Sequence, residues 1–270
     1  MSYDNLFWGD TDTLNHSQWK IKAESLLADR DIFTPHANKA FPLGAIAETR
    51  DGRKFRYCKN DSTQIAKNLL VQGAASGTAA FVDELQTGYT ITAGDKTFDL
   101  LITTANGFSD GDLIDGYLLV NQGTAATDEG DLYIIKNNKW TTSDTVINIE
   151  ISDAGGARNA MAATSNVTFI KNLYRDAIVK PTALTGVVIG ATTTIVSASY
   201  YFWAQTTGPA SVIVDAGDTI VVGEPVGHPG TSGTAGSVGL VANDGTDAVY
   251  GTAIYAAAHG DYALVNLTIG

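Results

Sequence analysis

From Phe41 onward the chain is written in short period-two runs, each closed by a turn rich in Gly, Asp or Asn. Phe41, Leu43, Ala45 and Ala47 alternate, and after Asp51-Gly52 the aromatics Phe55 and Tyr57 alternate with Lys54 and Arg56. Side chains two apart share one face of a strand, so this pattern predicts a β-hairpin. Asp-Gly favours a tight type I′ connection, in which both central residues adopt positive φ. Further strands are expected at 89–93, 97–103, 116–120, 132–136, 146–151 and 167–170. The last third adds 186–189, 193–198, 200–206, 211–214, 219–222, 236–241, 250–255 and 262–267. Turns are expected between them, including Gly208-Pro209, Ala216-Gly217, Pro229-Gly230 and His259-Gly260.

Strands this short, separated by turn signals every 8–12 residues or so, belong to a sandwich or barrel and not to βαβ units. No unit of roughly 20–50 residues recurs, which disfavours solenoids and propellers. Composition agrees. Charged residues make up only 17% of the chain, and Thr, with 32 copies, and Gly, with 28, fill the gap. Thr suits the solvent face of a strand and Gly the turns. The expected class is mainly β, a β-sandwich or β-barrel-like body with an N-terminal extended or helical arm.

Residues 1–40 read differently. Ser17–Arg30 places Trp19, Ala23, Leu26 and Leu27 near one helical face, with Ser17 as N-cap, which predicts one short amphipathic helix. Such an arm builds no core alone, so its aromatics Phe7, Trp8 and Trp19 are expected to pack on the body or on another subunit. The division expected is therefore an arm over 1–40, a β-rich domain over 41–180 and a barrel-like or sandwich domain over 181–270. The alternative is that the last two form one continuous body.

Charge separates the same regions. Residues 1–67 hold ten Lys or Arg against nine acids, 68–180 hold seven against fourteen, and after Lys180 there are six acids and no cation. The net charge of −12 thus belongs to the acidic remainder, which repels phosphate and argues against a nucleic-acid partner. No apolar run reaches the ~18 residues of a membrane span. No basic n-region or apolar h-region opens the chain, so synthesis in a cytoplasm without export is expected. A lone cysteine, Cys58, excludes an internal disulfide and a Cys/His zinc site.

Chemistry is sought in vain. The histidines His16, His36, His228 and His259 stand in separate contexts, and no G-x-S-x-G motif accompanies them. Residues 230–239 have the glycines of a phosphate loop without its Lys or the following helix. Asp110, Asp112 and Asp115, and Asp128, Glu129 and Asp131, offer carboxylates without the spacing of an EF-hand, and turn roles fit them better. No catalytic residue, metal ligand or cofactor site is expected. The densest aromatic run, Tyr200 to Trp203, would present large side chains on both faces of a strand, so a central or interface position is expected. Tyr201 and Trp203 join Phe7, Trp8 and Trp19 as candidate contacts.

The stretch Tyr200–Val226, YYFWAQTTGPASVIVDAGDTIVVGEPV, resembles a pattern of tailed-bacteriophage capsid decoration (cement) proteins. Its carriers are Tyr201, Trp203, Gln205, Gly208-Pro209-Ala210, Val212, Val214 and Gly223-Glu224-Pro225-Val226. Residues 235–239, 251–254 and 263–267 are similar to the closing strands of that family. Residues 116–118, 130–138 and 172–174 are similar to its middle region, and the 43–57 hairpin to its front. The resemblance covers about residues 41–270 and implies a structural virion protein on the capsid exterior. Such a protein binds the major capsid protein and itself, as a dimer or trimer, without enzymatic activity, nucleic acid or membrane. The competing expectation is a head-fibre or adhesin module that grips host glycans through aromatics and Asp/Asn turns.

Overall fold

The computed structural model describes residues 20–22, 32–73, 85–86, 88–101, 109–122, 129–141, 146–229, 233–241 and 248–270. Among them every named element is a strand, so the mainly β class holds. The strands fall into two compact units, one made of residues 1–74 and 174–270, the other of residues 75–173. The second unit is therefore an insertion in the first, and no boundary falls at residue 180. Linear reading missed this because the partners that close the first unit lie about 150 residues apart in the chain.

The first unit contains β1 (Lys20–Lys22), β2 (Ile46–Glu48), β3 (Lys54–Lys59) and β4 (Leu70–Gln72) before the insertion. After it come β11 (Ile178–Val179), β12 (Val188–Thr192), β13 (Tyr201–Ile213), β14 (Thr219–Ile220) and β15 (Pro225–Gly227). The chain ends through β16 (Gly239–Leu240), β17 (Val249–Tyr255), β18 (Ala257–Ala258) and β19 (Tyr262–Thr268). Eleven of these form one sheet whose main path runs β1-β2-β3-β13-β19-β17-β15-β16, with β12, β4 and β11 branching from β13.

Strand β13 organises this sheet. Its first half pairs with β3, Tyr201 opposite Lys59 and Gln205 opposite Phe55, and its second half with β19, Thr207 opposite Thr268 and Ile213 opposite Tyr262. It is buried on both faces from Phe202 to Thr206, as its aromatics predict. The turn expected at Gly208-Pro209 does not form, and the strand runs straight through it. Gly208 takes φ +86° beside a register shift between Gln205 and Thr207, a bulge that only glycine accommodates cheaply. Pro209 is tolerated because pairing to β3 has already ended at Lys54 opposite Thr207.

The β2–β3 hairpin forms as expected, with Leu43, Ala45, Ala47, Phe55 and Tyr57 buried. Its turn differs from type I′. Gly52 alone has positive φ and donates its N–H to the Thr49 carbonyl, so a four-residue turn ends in a left-handed glycine. Within the Ser17–Arg30 segment, Lys20–Lys22 is a strand, parallel to β2. The helix expectation fails at those three residues because the free edge of β2 offers its backbone a ladder. The rest of that segment, with Phe7, Trp8 and Trp19, lies outside the described residues.

The inserted unit holds β5 (Leu85–Gln86), β6 (Thr97–Leu101), β7 (Tyr117–Gln122), β8 (Leu132–Trp140), β9 (Val146–Ile151) and β10 (Asn166–Ile170), in the order β5-β10-β7-β8-β9-β6. All its pairings are antiparallel. Strict alternation in β6, β9 and β10 puts Phe98, Leu100, Ile147, Ile149, Val167 and Phe169 into one core. The strand expected at 89–93 reduces to a bridge between Ile91 and Met161, and that at 193–198 to one between Ile65 and Val196.

Candidate interaction surface

Trp203 does not reach the surface. It is 3% exposed and packs with Phe41 and Tyr57 at ring separations of 5.4 and 5.0 Å. Tyr201 is half-buried and stacks on Tyr57 at 5.7 Å. The aromatic run is thus a core, with Leu43, Ala45, Ala47 and Phe55 in the same cluster, and Trp203 is withdrawn as a contact residue. The Tyr57 hydroxyl accepts the Ala40 N–H at 3.0 Å, and burial pushes the phenol pKa up. Cys58 is fully buried and its thiol is likewise pushed up by desolvation.

The carboxylates are hydrogen-bond acceptors, Asp112 within its own turn and Asp110 and Asp131 towards residues 140 and 159. Asp110 receives the N–H of Trp140 and Asp112 that of Ser109, each at 2.8 Å. Asp131 receives the Tyr133 hydroxyl at 2.8 Å and the Asn159 amide at 3.1 Å. Asp128 lies outside the described residues. Among the described residues no group of three or more His, Cys, Asp or Glu is placed to hold a metal ion.

Most cations of the first unit lie in or around β1, β2 and β3; Lys67, Arg175 and Lys180 lie elsewhere. Lys39, Arg50 and Lys54 are exposed around β2 and β3. Arg53 pairs with Asp51 at 2.7 Å and lies over the Phe55 ring, and Arg56 donates to the Gly44 carbonyl at 2.9 Å and lies over Tyr174. Strand β1 joins the sheet at this same end.

The opposite stretch of the sheet carries a different surface. Strand β19 alternates without a fault: Ala263, Val265 and Leu267 are buried, and Tyr262, Leu264, Asn266 and Thr268 are exposed. The register continues that outward face across its neighbours. Ile213 lies opposite Tyr262, Ser211 opposite Leu264, Pro209 opposite Asn266 and Thr207 opposite Thr268. On the other side Tyr255 lies opposite Leu264 and Thr252 opposite Asn266, with Pro225 beyond Thr252. Tyr255, Tyr262 and Leu264 are 65, 49 and 38% exposed. No residue of β13, β17 or β19 is charged. Sequence pattern held a signal for this face, since both parities of Tyr262–Thr268 are uncharged and the outward one still carries Tyr and Leu.

A buried polar group also escaped the sequence reading. Lys180, wholly buried, places Nζ 3.3 Å from His228 Nδ1. Desolvation lowers the Lys180 pKa to about 8, against the pull of the nearby Asp215 carboxylate. Asp215 accepts the N–H groups of Thr234 and of Gly217, the latter at 3.1 Å, and lies 3.4 Å from the Ser237 hydroxyl. Burial raises its pKa, but these hydrogen bonds outweigh it and the net shift is downward.

Comparison of the chain with protein-family models, with curated proteins and with solved structures finds no match.

Proposed function

We propose that the protein is a structural component of a virion that decorates the outside of an icosahedral shell and cements it by binding the major capsid protein. The observation that carries this reading is the polarity of the first unit. Its exposed cations Lys39, Arg50 and Lys54 stand at the β1–β3 end, where the N-terminal arm enters the sheet, with Lys67 exposed between β3 and β4, while residues 181–270 have none. An acidic body repels its own copies and stays soluble, and a basic end with an aromatic-bearing arm gives it one place to dock. The cement-like sequence pattern over residues 200–226 supports the same reading, since its Tyr201, Trp203 and Gln205 build the central strand. Weak contacts repeated over many shell sites sum through multivalency, so no single contact needs to be strong.

Co-sedimentation with intact shells tests this. The full chain should pellet in a fixed ratio to the larger shell protein, and removal of residues 1–31, or Lys39→Glu with Arg50→Glu, should weaken pelleting at least tenfold while the body stays folded. Unchanged pelleting of these variants would remove the docking assignment, and absence of any shell association would remove the function. The second reading, a glycan-gripping head-fibre module, has the exposed rings of Tyr255 and Tyr262 in its favour. Reproducible hits on a glycan array that vanish with Tyr255→Ala would select it.

A further inference from the structure

On the reading that the protein binds a shell, we infer that the shell protein covers more than the basic β1–β3 end. It also covers the uncharged outward face of β13, β19 and β17, and meets that face with an uncharged, apolar patch of its own.

The two regions are one surface. Glu48 lies opposite Lys54, Lys54 opposite Thr207 and Thr207 opposite Thr268. Residues directly opposite one another share a face of the sheet, so this row carries the outward side of the β2–β3 hairpin onto β13 and β19 without a break. The face continues in further rows. Pro209, Asn266 and Thr252 form the next, then Ser211, Leu264 and Tyr255, then Ile213 and Tyr262. A partner seated on Lys54 has Leu264 two strands across and two rows along, roughly 17 Å away on the same sheet.

Charge decides what the partner presents. Residues 207–213, 249–255 and 262–268 contain no Lys, Arg, Asp or Glu. Both signs stand at the rim: Lys54 with Glu48 at one end, and Asp261 at the other with Lys67, whose neighbour Asn68 accepts the Ile213 N–H through its carbonyl. A partner charge brought to the centre would be desolvated with no counter-ion to meet it, so the matching patch is uncharged. Leu264 and the rings of Tyr255 and Tyr262 supply its apolar contact, and the Thr, Ser and Asn side chains around them supply hydrogen bonds.

Area calls for both halves. Four rows at ~6.8 Å and three to four strands at ~4.8 Å give roughly 300–400 Å² in projection, and a hairpin two strands wide adds about half as much. Each alone is far below the ~800 Å² per partner of a standard interface. Joined, they make a contact that is still weak singly and becomes firm by repetition over a shell.

Co-sedimentation of the full chain with intact shells tests this through neutral substitutions. Tyr255→Ser, Tyr262→Ser and Leu264→Ser together should weaken pelleting at least tenfold while the chain still melts cooperatively, because all three side chains are exposed. Their loss factor should hold between about 0.1 and 0.4 M salt, whereas that of Lys39→Glu with Arg50→Glu should shrink, since salt screens charge and spares apolar contact. Ile195→Ser, an exposed apolar position outside these three strands, should pellet as the parent does. A parent that pellets alongside an equally bound triple variant overturns the covered face and leaves shell binding standing. Equal weakening by Ile195→Ser overturns it too. A parent that never pellets removes both. Sedimentation velocity without shells, and a glycan array, identify other occupants: self-association or glycan hits that the triple variant loses would overturn the assignment of this face to the shell protein.

Discussion

Lys180 and His228 stand with Nζ and Nδ1 3.3 Å apart inside the first unit, both side chains withdrawn from solvent. An Nδ1 that accepts from the ammonium requires the imidazole proton on Nε2. The ammonium is desolvated by the body around it and only partly compensated by the Asp215 carboxylate, so its charged form is a cost that folding carries at neutral pH.

That cost sets a pH dependence of definite sign. The folded pKa of about 8 lies below the ordinary 10.5, so between these values the unfolded chain binds the extra proton. The penalty is complete below pH 8 and is relieved as pH rises from 8 towards 10.5. Cys58 and Tyr57, pushed up by burial, act oppositely once their unfolded counterparts ionise, so the parent protein alone does not isolate the effect. A paired measurement does. Lys180→Met should be more stable than the parent at pH 7, by up to roughly 3 kcal/mol from the shift, and this advantage should shrink steadily between pH 8 and 10 in chemical denaturation. An advantage independent of pH would show that Lys180 does not titrate in this window.

How much of this was readable in advance depends on the range of the interaction. The Phe41–Tyr57 hairpin, β9 and β19 were legible because each alternates on one face and closes locally. The fusion of residues 201–213 into one strand was not, since Gly208-Pro209 is a turn signal until β19, more than fifty residues later, supplies a partner. The nested units were hidden for the same reason: β3 meets β13 only after the inserted sheet has intervened. Tyr201 and Trp203 were legible as a two-faced aromatic strand, but packing with Phe41 and Tyr57 puts Trp203 in the core and leaves Tyr201 half-buried at its margin. Lys180 gave no sign of burial, because a lysine near a strand end reads as surface until its neighbours are known.

Asp215 should prove a structural hub. It holds Thr234 and Gly217 by their N–H groups and sits beside the Ser237 hydroxyl, tying the 233–237 segment to the end of β13. Hydrogen bonds to a charged acceptor contribute roughly 1.5–3 kcal/mol each, so Asp215→Ala should cost on the order of 3 kcal/mol and lower the melting temperature measurably. Because the folded pKa is depressed below 3.8, this contribution is present above that pH and is lost as pH falls through the folded value. The variant should therefore show a shallower acid limb than the parent.

Gln205 performs a similar service for the strand that changes partners. Its buried amide donates to the carbonyls of Thr207, Gly208 and Pro209 at 3.2, 3.3 and 2.8 Å, where pairing to β3 has ended. Gln205→Leu keeps the volume but removes the donor, leaving buried acceptors unpaired at about 1–3 kcal/mol. The loss should appear as faster amide exchange across residues 207–213 and 262–268, with the inserted unit unaffected. Uniform acceleration throughout the chain would mean that the bulge is not stabilised locally.

The inserted unit offers its own test at Gly156, which has φ +72° and lies so close to Gly94 that an added Cβ would stand 2.1 Å from the Gly94 carbonyl oxygen. Nearby Gly94 has φ +95° but open space where its Cβ would be. The two positions separate backbone strain from collision. Gly94→Ala pays only the left-handed conformation, about 1–2 kcal/mol, whereas Gly156→Ala pays that and must also displace the paired backbone of residues 94–95 and 156–157. We expect Gly156→Ala to lower the melting of residues 85–173 several times more than Gly94→Ala does, read by peptide-resolved hydrogen exchange. Residues 201–213 and 262–268, held by the β13–β19 ladder, should keep their protection in both variants. Equal losses at the two glycines would mean that the carbonyl of Gly94 moves aside freely. A loss shared by β13 and β19 would mean that the two units unfold as one.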